Sequence, residues 1–197
     1  MRWDNLFDDL EGQLEQELGA EEIDLRAEEE RLRLGRLSLR DRLRALSRGE
    51  CSEPVRVSLS NGVTLELSLR TFGRDWVSGD VVDASSRRAQ FILPLDAIAG
   101  VRLSRAQVST SLEDATTPES ERGLSRRLGL AFVLRDLCRR RQAVELVLHD
   151  GVVSGTIDRV GRDHLDLAVH EVGSARRERL VTHYQVVPFS RVLLVRL

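Results

Sequence analysis

The stretch "LHDGVVSGTIDRVGRDHLDLAVHE", from Leu148 to Glu171, repeats a pattern that the chain already carries once. The earlier copy is "LSNGVTLELSLRTFGRDWVSGDVVDA", from Leu59 to Ala84. Each copy begins with a leucine, reaches a glycine three residues later, and then runs about ten residues to Gly-Arg-Asp and an apolar or ring side chain. A pattern that keeps its turn residues while the segments between them vary is typical of a structural repeat. The sequence therefore predicts two copies of one folding unit.

Each copy predicts five short strands. Asn61-Gly62 and Asp150-Gly151 follow the first strand of each copy, and both dipeptides favour tight hairpin turns. The flanking residues alternate between apolar and polar, which is the period of a half-buried strand. Pro94 and Pro188 end the fourth strands, and both fifth strands finish in Val-Arg-Leu.

The predicted domain boundaries follow from these patterns. Residues 1–37 form an acidic helical arm, and residues 38–103 and 125–197 form the two repeats, each with a leading helix. Residues 104–124 are polar and aperiodic, which is typical of a flexible linker. The predicted fold class is α+β and mainly β, with two tandem five-stranded small barrels, each preceded by a helix.

The charges are distributed unevenly along the chain. Residues 1–30 hold twelve acidic residues and two arginines, whereas the remainder holds twenty acidic residues and twenty-eight arginines. Every basic residue is arginine, whose planar guanidinium suits phosphates and carboxylates. The sequence therefore predicts an acidic arm on a mildly basic body.

Cysteine usage and hydropathy bear on the compartment. Cys51 and Cys138 lack the spacing of a metal site, so we expect reduced thiols. The N-terminus is acidic, and no apolar run approaches the ~20 residues that a membrane span needs. We expect a cytoplasmic protein with no membrane association.

The order of elements resembles a known family. The resemblance is carried by "VSLSNGVTLELSLRTFGRDWV" with "FILPLDAIAGVRL", and by "LVLHDGVVSGTIDRVGRDHLDL" with "VVPFSRVLLVRL". A helix, five short strands, a strongly bent second strand and a proline-terminated fourth strand resemble the Sm-like small β-barrels of LSm proteins and bacterial Hfq. The resemblance implies nucleic-acid binding through the loops between strands two and three and between strands four and five.

The resemblance also implies roles for particular residues. Trp76 and His164 follow the two Gly-Arg-Asp turns and would offer a ring face to a base. Arg102 and Arg196 match the arginine of the family's Ile-Arg-Gly element, although a leucine replaces the following glycine in both copies. Asp166 lies near the position where the family keeps an asparagine.

The N-terminus carries a second resemblance. "MRWDNLFDDLEGQLEQEL" is similar to the start of a family of uncharacterised actinobacterial proteins that are sometimes labelled Fis-type transcriptional regulators. The C-terminal pattern has a period of two rather than 3.6, so it predicts strands and no helix-turn-helix motif.

Arginine clusters on the second repeat favour an interaction with phosphates through counterion release. The candidate nucleic-acid-binding residues are Arg74, Trp76, Arg102, Arg126, Arg127, Arg139, Arg140, Arg141, Arg162, His164, Arg176, Arg177 and Arg196. The alternative interpretation is a solvated surface, or a docking face for the acidic arm of the chain itself.

The acidic arm has an apolar stripe that could dock in a groove of a partner protein. The candidate partner-binding residues are Trp3, Leu6, Phe7, Leu10 and Leu14. Packing of the stripe on the chain's own barrels is the alternative.

Two functional hypotheses remain from the sequence. The first is a non-enzymatic regulator that binds RNA or DNA through arginine-rich barrel surfaces and is modulated by its acidic arm. The second is a protein-interaction or scaffold module that binds no nucleic acid, in which the barrels bind one protein and the leucine-striped arm binds another or oligomerises. The exposed edges of strands four and five could join the two copies, or could pair with other chains in a homo-oligomer. The sequence shows no recognisable catalytic arrangement, so we expect no enzyme activity, no cofactor and no metal.

Overall fold

The computed structural model describes residue 19 and residues 22–48, 53–82, 89–113, 127–171, 173 and 176–197. The chain divides into two units, Met1–Leu39 and Arg40–Leu197. In the first unit, residues 22–35 form helix α1, whose exposed surface carries Arg–Glu pairs three and four residues apart. Six predicted site residues lie outside the described residues: Trp3, Leu6, Phe7, Leu10, Leu14 and Arg126.

The remaining elements form two similar series. They are α2 (Leu39–Leu46), β1 (Val55–Leu59), β2 (Thr64–Phe72), β3 (Trp76–Val81), β4 (Gln90–Pro94), β5 (Ile98–Arg102), α3 (Arg105–Leu112), α4 (Leu130–Arg139), β6 (Ala143–Leu148), β7 (Gly151–Val160), β8 (His164–Val169), β9 (His183–Pro188) and β10 (Val192–Arg196). A one-turn 3₁₀ helix joins the fourth strand to the fifth in each series, at Leu95–Ala97 and Phe189–Arg191. We call α2 with β1–β5 the first half, and α4 with β6–β10 the second half.

The first hairpin forms where the sequence predicts it. In β1, Val55, Val57 and Leu59 are buried while Arg56 is exposed, so the alternation places one face on the core. The turn that follows has Gly62 at φ +85°, a conformation that glycine adopts without steric cost. The predicted hairpin is therefore confirmed at this position.

All ten strands counted over the described residues belong to one antiparallel sheet, in the order β5-β1-β2-β3-β4-β10-β6-β7-β8-β9. The prediction of two five-stranded small barrels is wrong, because β4 pairs with β10 of the other half instead of closing on its own β5. The sheet is open, and β5 and β9 are its edges. The broader prediction of a mixed α+β fold holds.

The second strand of each half carries an irregularity in its pairing with the third strand. The pairing register shifts between Leu69 and Thr71 in β2, and between Ile157 and Arg159 in β7. A glycine lies near each register shift. A Cβ atom added to Gly79 would lie 1.8 Å from the carbonyl oxygen of Ser68, and a Cβ atom added to Gly155 would lie 2.2 Å from the carbonyl oxygen of Ala168. Only glycine allows the second and third strands to approach this closely.

The two hydrophobic cores exchange side chains across the junction between the halves. The first core includes Leu67 and Phe91 and also takes Leu193 and Leu194 from β10. The second core includes Leu134, Leu146 and Leu165 and also takes Trp76 and Ile92 from the first half. Each fully buried side chain of this size contributes about 1.5–3 kcal/mol. The halves are therefore packed as one body within the second unit.

Part of the predicted linker is helical. Helix α3 begins after Ser104, whose hydroxyl accepts a hydrogen bond from the Gln107 amide at 3.2 Å. The Gln107 side chain accepts in return from the Ser104 amide at 3.0 Å, which completes a capping box. The rest of the predicted linker, residues 114–124, lies outside the described residues.

Candidate interaction site

The junction between the two halves is made by two edge strands. Ile92 of β4 pairs with Val195 of β10, and Phe91 pairs with Arg196. The amide of Leu197 donates to the carbonyl of Gln90 at 2.9 Å and extends the ladder by one bond. Since Ile92 is only 4% exposed, this short pairing also buries an apolar contact between the halves.

The first Gly-Arg-Asp turn, residues 73–76, holds the start of α4. The carboxylate of Asp75 accepts from the amide of Leu130, the first residue of the helix, at 2.7 Å. The carbonyl of Leu128 accepts from the amide of Arg74 and from the indole of Trp76, both at 3.0 Å. Asp75 therefore satisfies a helix N–H group that has no partner inside the helix.

The second Gly-Arg-Asp turn, residues 161–164, has the same internal hydrogen bonds. The amide of Gly161 donates to the carbonyl of His164 at 2.8 Å, as Gly73 does to Trp76. The amide of Phe189 donates to the carbonyl of Asp163 at 2.8 Å, as Leu95 does to Asp75. The two turns are thus equivalent in backbone structure, although they differ in what they contact.

The carboxylate of Asp163 faces solvent. Its side chain is 84% exposed and lies 2.9 Å from Nδ1 of His164. This hydrogen bond holds the pKa of the Asp163 carboxyl below its usual value. Within the described part of the chain, the amide of Arg162 makes no hydrogen bond, whereas its counterpart Arg74 bonds to Leu128. In the first turn, the corresponding carboxylate and amide bond to Leu130 and Leu128. In the second turn, the Asp163 carboxylate and the Arg162 amide make no such contact with a helix start among the described residues.

The open edges of the sheet repeat the strands of the junction. When Pro94 is aligned with Pro188, Ile92 of β4 corresponds to Val186 of β9. Val186 is 65% exposed, and its neighbour Tyr184 is exposed as well. At the other edge, Val101 of β5 corresponds to Val195 of β10. Among the described residues, β5 and β9 each pair with one strand only.

Both arginines of the repeated turns line one pocket beside the junction. The pocket has a volume of about 330 Å³, and its charged lining comprises Arg74, Arg162, Asp75 and Asp96, with His149 beside them. Two guanidinium groups attract an anion, whereas the two carboxylates in the same lining oppose it. The pocket is therefore mixed in charge.

The other predicted nucleic-acid-binding arginines fall into two groups. Arg139 and Arg140 pair with Asp136, Arg176 pairs with Asp158, and Arg196 pairs with Glu145. Exposed arginines with no side-chain ion pair or hydrogen bond among the described residues are Arg102, Arg127, Arg141, Arg162 and Arg177. Arg176 and Arg196 each have a carboxylate partner that neutralises their charge, whereas Arg139 and Arg140 share one aspartate and keep a net positive charge. The accessible positive charge therefore comes from the second group together with Arg139 and Arg140.

The two predicted stacking rings lie in different surroundings. Trp76 is 5% exposed and packs over Gly73, where an added Cβ would lie 2.0 Å from the indole nitrogen. His164 packs over Gly161 in the same way but remains exposed. Of the two, the structure leaves only the imidazole within reach of a ligand.

His170 is a buried histidine with both ring nitrogens hydrogen bonded. Its Nε2 lies 2.9 Å from the hydroxyl of Thr156, and its Nδ1 lies 3.0 Å from the carbonyl of Glu171. These contacts explain its burial as part of the core. Over the described residues, no group of three or more His, Cys, Asp or Glu side chains is placed to hold a metal ion.

No helix in the described ranges is both long enough and apolar enough to cross a membrane. No protein-family model matches the sequence, and comparison with curated proteins and with solved structures finds no significant match.

The helix start that Asp75 caps was not identified from the sequence. A signal for this contact was present in the sequence. "RLGL", residues 127–130, matches "RLSL", residues 36–39. In both cases, two further leucines follow at four and seven positions after the last leucine of the segment. The segment that the first turn holds is therefore itself repeated.

Proposed function

We propose that the protein is an interaction module that associates with further copies of itself, head to tail, through the edges of its sheet. The observation that carries the proposal is the contrast between Ile92, buried at the junction, and Val186, its exposed counterpart at the open edge. An apolar side chain on an unpaired edge strand is a template for pairing with another chain.

The junction supplies the register for this association. Since Ile92 pairs with Val195, the corresponding contact joins Val186 of one copy to Val101 of the next. The interface is heterologous, because two different edges meet, and such an interface builds rings when its rotation closes and filaments when it does not. A pairing of two short strands buries little area, so we expect association to depend on concentration.

Sedimentation velocity over a wide concentration range tests the proposal. We expect the mass of the wild-type chain to rise from 22.2 kDa towards multiples of that value. Val186→Lys places a charge on the edge and should keep the chain monomeric. The matched control is Val152→Lys, which changes an exposed valine on β7, an interior strand, and should associate like the wild type.

Either of two results contradicts the proposal. One is a wild-type chain that stays at 22.2 kDa at every concentration. The other is a Val186→Lys chain that is folded by circular dichroism and associates as strongly as the wild type. Added salt should not abolish the association, because the contact is apolar and made by backbone hydrogen bonds.

Nucleic-acid binding is the second candidate function. Exposed arginines with no side-chain ion pair among the described residues support it, and one of them, Arg162, lines the pocket of mixed charge beside the junction. Titration of fluorescent single-stranded RNA and duplex DNA at two salt concentrations tests it. We expect binding that weakens with salt and is reduced by Arg162→Gln. Binding that is absent at low salt, or that Arg162→Gln leaves unchanged, contradicts a role for this pocket.

A further inference from the structure

The chain contains two copies of an Arg-Leu-x-Leu segment that opens a helix. Residues 127–130 lead into α4, and residues 36–39 lead into α2. The leucines four and seven positions further along, Leu134 and Leu137 in α4 and Leu43 and Leu46 in α2, are all buried. The two segments therefore precede helices that bury leucines at the same spacing.

The segment that leads into α4 is held by a Gly-Arg-Asp turn. The turn at residues 73–76 belongs to the first half, yet it holds residues 128–130, which lead into the second half. Leu130 is 7% exposed in this contact, whereas its counterpart Leu39 is 43% exposed. In the turn at residues 161–164, the carbonyl of Gly161 accepts from Arg135 of α4 at 3.1 Å, and the exposed carboxylate of Asp163 is bonded to His164. The amide of Arg162 has no hydrogen-bond partner among the described residues.

We propose that the turn at residues 161–164 binds residues 36–39 of a second copy, with Asp163 capping the N-terminus of that copy's α2. The proposal rests on the head-to-tail association proposed above. In the junction, β10 and α4 belong to the same half, and the pairing of β10 with β4 accompanies the contact of α4 with the turn at residues 73–76. When β5 of a second copy pairs with β9, its α2 takes the corresponding place beside the turn at residues 161–164.

The chemistry of the contact follows from the first turn. The amide of Arg162 donates to the carbonyl of Leu37 in the second copy, as Arg74 donates to Leu128 at 3.0 Å. The Asp163 carboxylate accepts from the amide of Leu39, as Asp75 accepts from Leu130 at 2.7 Å. Ser38 replaces Gly129, where an added Cβ would lie 2.7 Å from the Arg74 guanidinium. The added Cβ would also lie 3.3 Å from Oδ2 of Asp75. In the second turn, the end of the Arg162 side chain therefore swings aside, and the Asp163 carboxylate shifts by a few tenths of an ångström while it accepts from the helix amide.

Substitution of Asp163 in the full chain tests the cap. We expect Asp163→Ala to weaken self-association about fivefold, which corresponds to the typical effect of deleting an N-cap acceptor. Asp163→Asn should restore association to near the wild-type level, because an asparagine side chain also accepts from a helix amide. Sedimentation velocity measures both variants, and the amide of Arg162 should exchange its hydrogen more slowly in the associated wild type than at high dilution.

The second copy's side of the contact has its own variant. Leu39→Ala should weaken association, because the leucine is expected to become buried as Leu130 is. Leu32→Ala is the matched control, since it changes another exposed leucine that lies on α1, outside the repeated segment.

The results separate this inference from the association itself. If Val186→Lys prevents association while Asp163→Ala and Leu39→Ala associate like the wild type, the docking of residues 36–39 is overturned and edge pairing stands. A wild-type chain that stays monomeric overturns both. Loss of association in Asp163→Ala that Asp163→Asn does not restore also overturns the capping role.

Discussion

The two Gly-Arg-Asp turns share a backbone structure and differ in the residue that follows. The first turn continues with Trp76, whose ring is buried against the start of α4, and the second continues with His164, whose ring is exposed. A tryptophan in the open position would leave a large apolar ring in water, whereas an imidazole tolerates solvent. The turn that α4 covers therefore carries the apolar ring of Trp76, and the turn that is open to solvent carries the polar ring of His164.

The fourth strands show the same difference. Ile92 contributes to the core of the second half, while Val186 is exposed at the edge. The fourth strand of the first half pairs with the fifth strand of the second half inside the chain. The fifth strand of the first half and the fourth strand of the second half are then left as the two edges of the sheet. The junction is therefore the reference for what the two ends of the sheet are able to bind.

The largest expected effect distinguishes the two rings. Trp76→Ala removes a buried ring and its hydrogen bond to Leu128, so we expect the free energy of unfolding to fall by about 3–5 kcal/mol. His164→Ala removes an exposed ring and should change it by less than about 0.5 kcal/mol. Urea unfolding followed by circular dichroism measures both. Equal losses in the two variants would break the distinction drawn between the turns.

Much of the sheet was predictable because strand formation depends on local pattern. The alternation in "VRVSL" predicted β1, and Pro94 and Pro188 end β4 and β9 as expected. The pairing of β4 with β10 was not predictable in the same way. Local periodicity defines which residues form a strand, but the choice of neighbour depends on which two edges meet in the folded chain.

The candidate site was predicted in part. The repeated Gly-Arg-Asp pattern identified residues 73–76 and 161–164 as turns, yet the resemblance to Sm-like barrels implied that Trp76 offers its ring to a base. Its burial follows from the packing of α4, which no local pattern encodes. Helix α3 was missed because its sequence has little apolar periodicity. The Ser104 and Gln107 pair of its capping box is a helix-start signal that the sequence contains.

A second prediction concerns a feature that the two halves share. Gly79→Ala and Gly155→Ala would each place a methyl group against backbone of the neighbouring strand, so we expect losses of about 1–3 kcal/mol in both halves. Gly100→Ala is the control, because nothing lies within 4 Å of an added Cβ there. Urea unfolding measures the three variants. A loss confined to one half would show that the two close approaches between neighbouring strands are not equivalent.

The smallest expected effect belongs to an ion pair of the second half. Arg176 donates to both carboxylate oxygens of Asp158, at 2.7 and 2.6 Å, and both side chains are largely buried. The hydrogen bond from Arg176 holds the pKa of the Asp158 carboxyl below its usual value. In the first half, the Arg56–Glu66 pair is far more exposed and serves as the comparison.

The sign of the pH dependence follows from the lowered pKa. The contribution of Asp158 to stability is fully present above the pKa of the unfolded chain, about 3.9, and is lost as the pH falls through the lower pKa of the folded chain. We therefore expect Asp158→Asn to cost about 1–2 kcal/mol at neutral pH, and the difference from wild type to shrink as the pH falls below about 4. Glu66→Gln should cost less than about 0.5 kcal/mol, because an exposed pair is screened by solvent. Urea unfolding of the three chains between neutral and acidic pH measures this, and a difference that grows towards acid would assign the buried pair the opposite linkage.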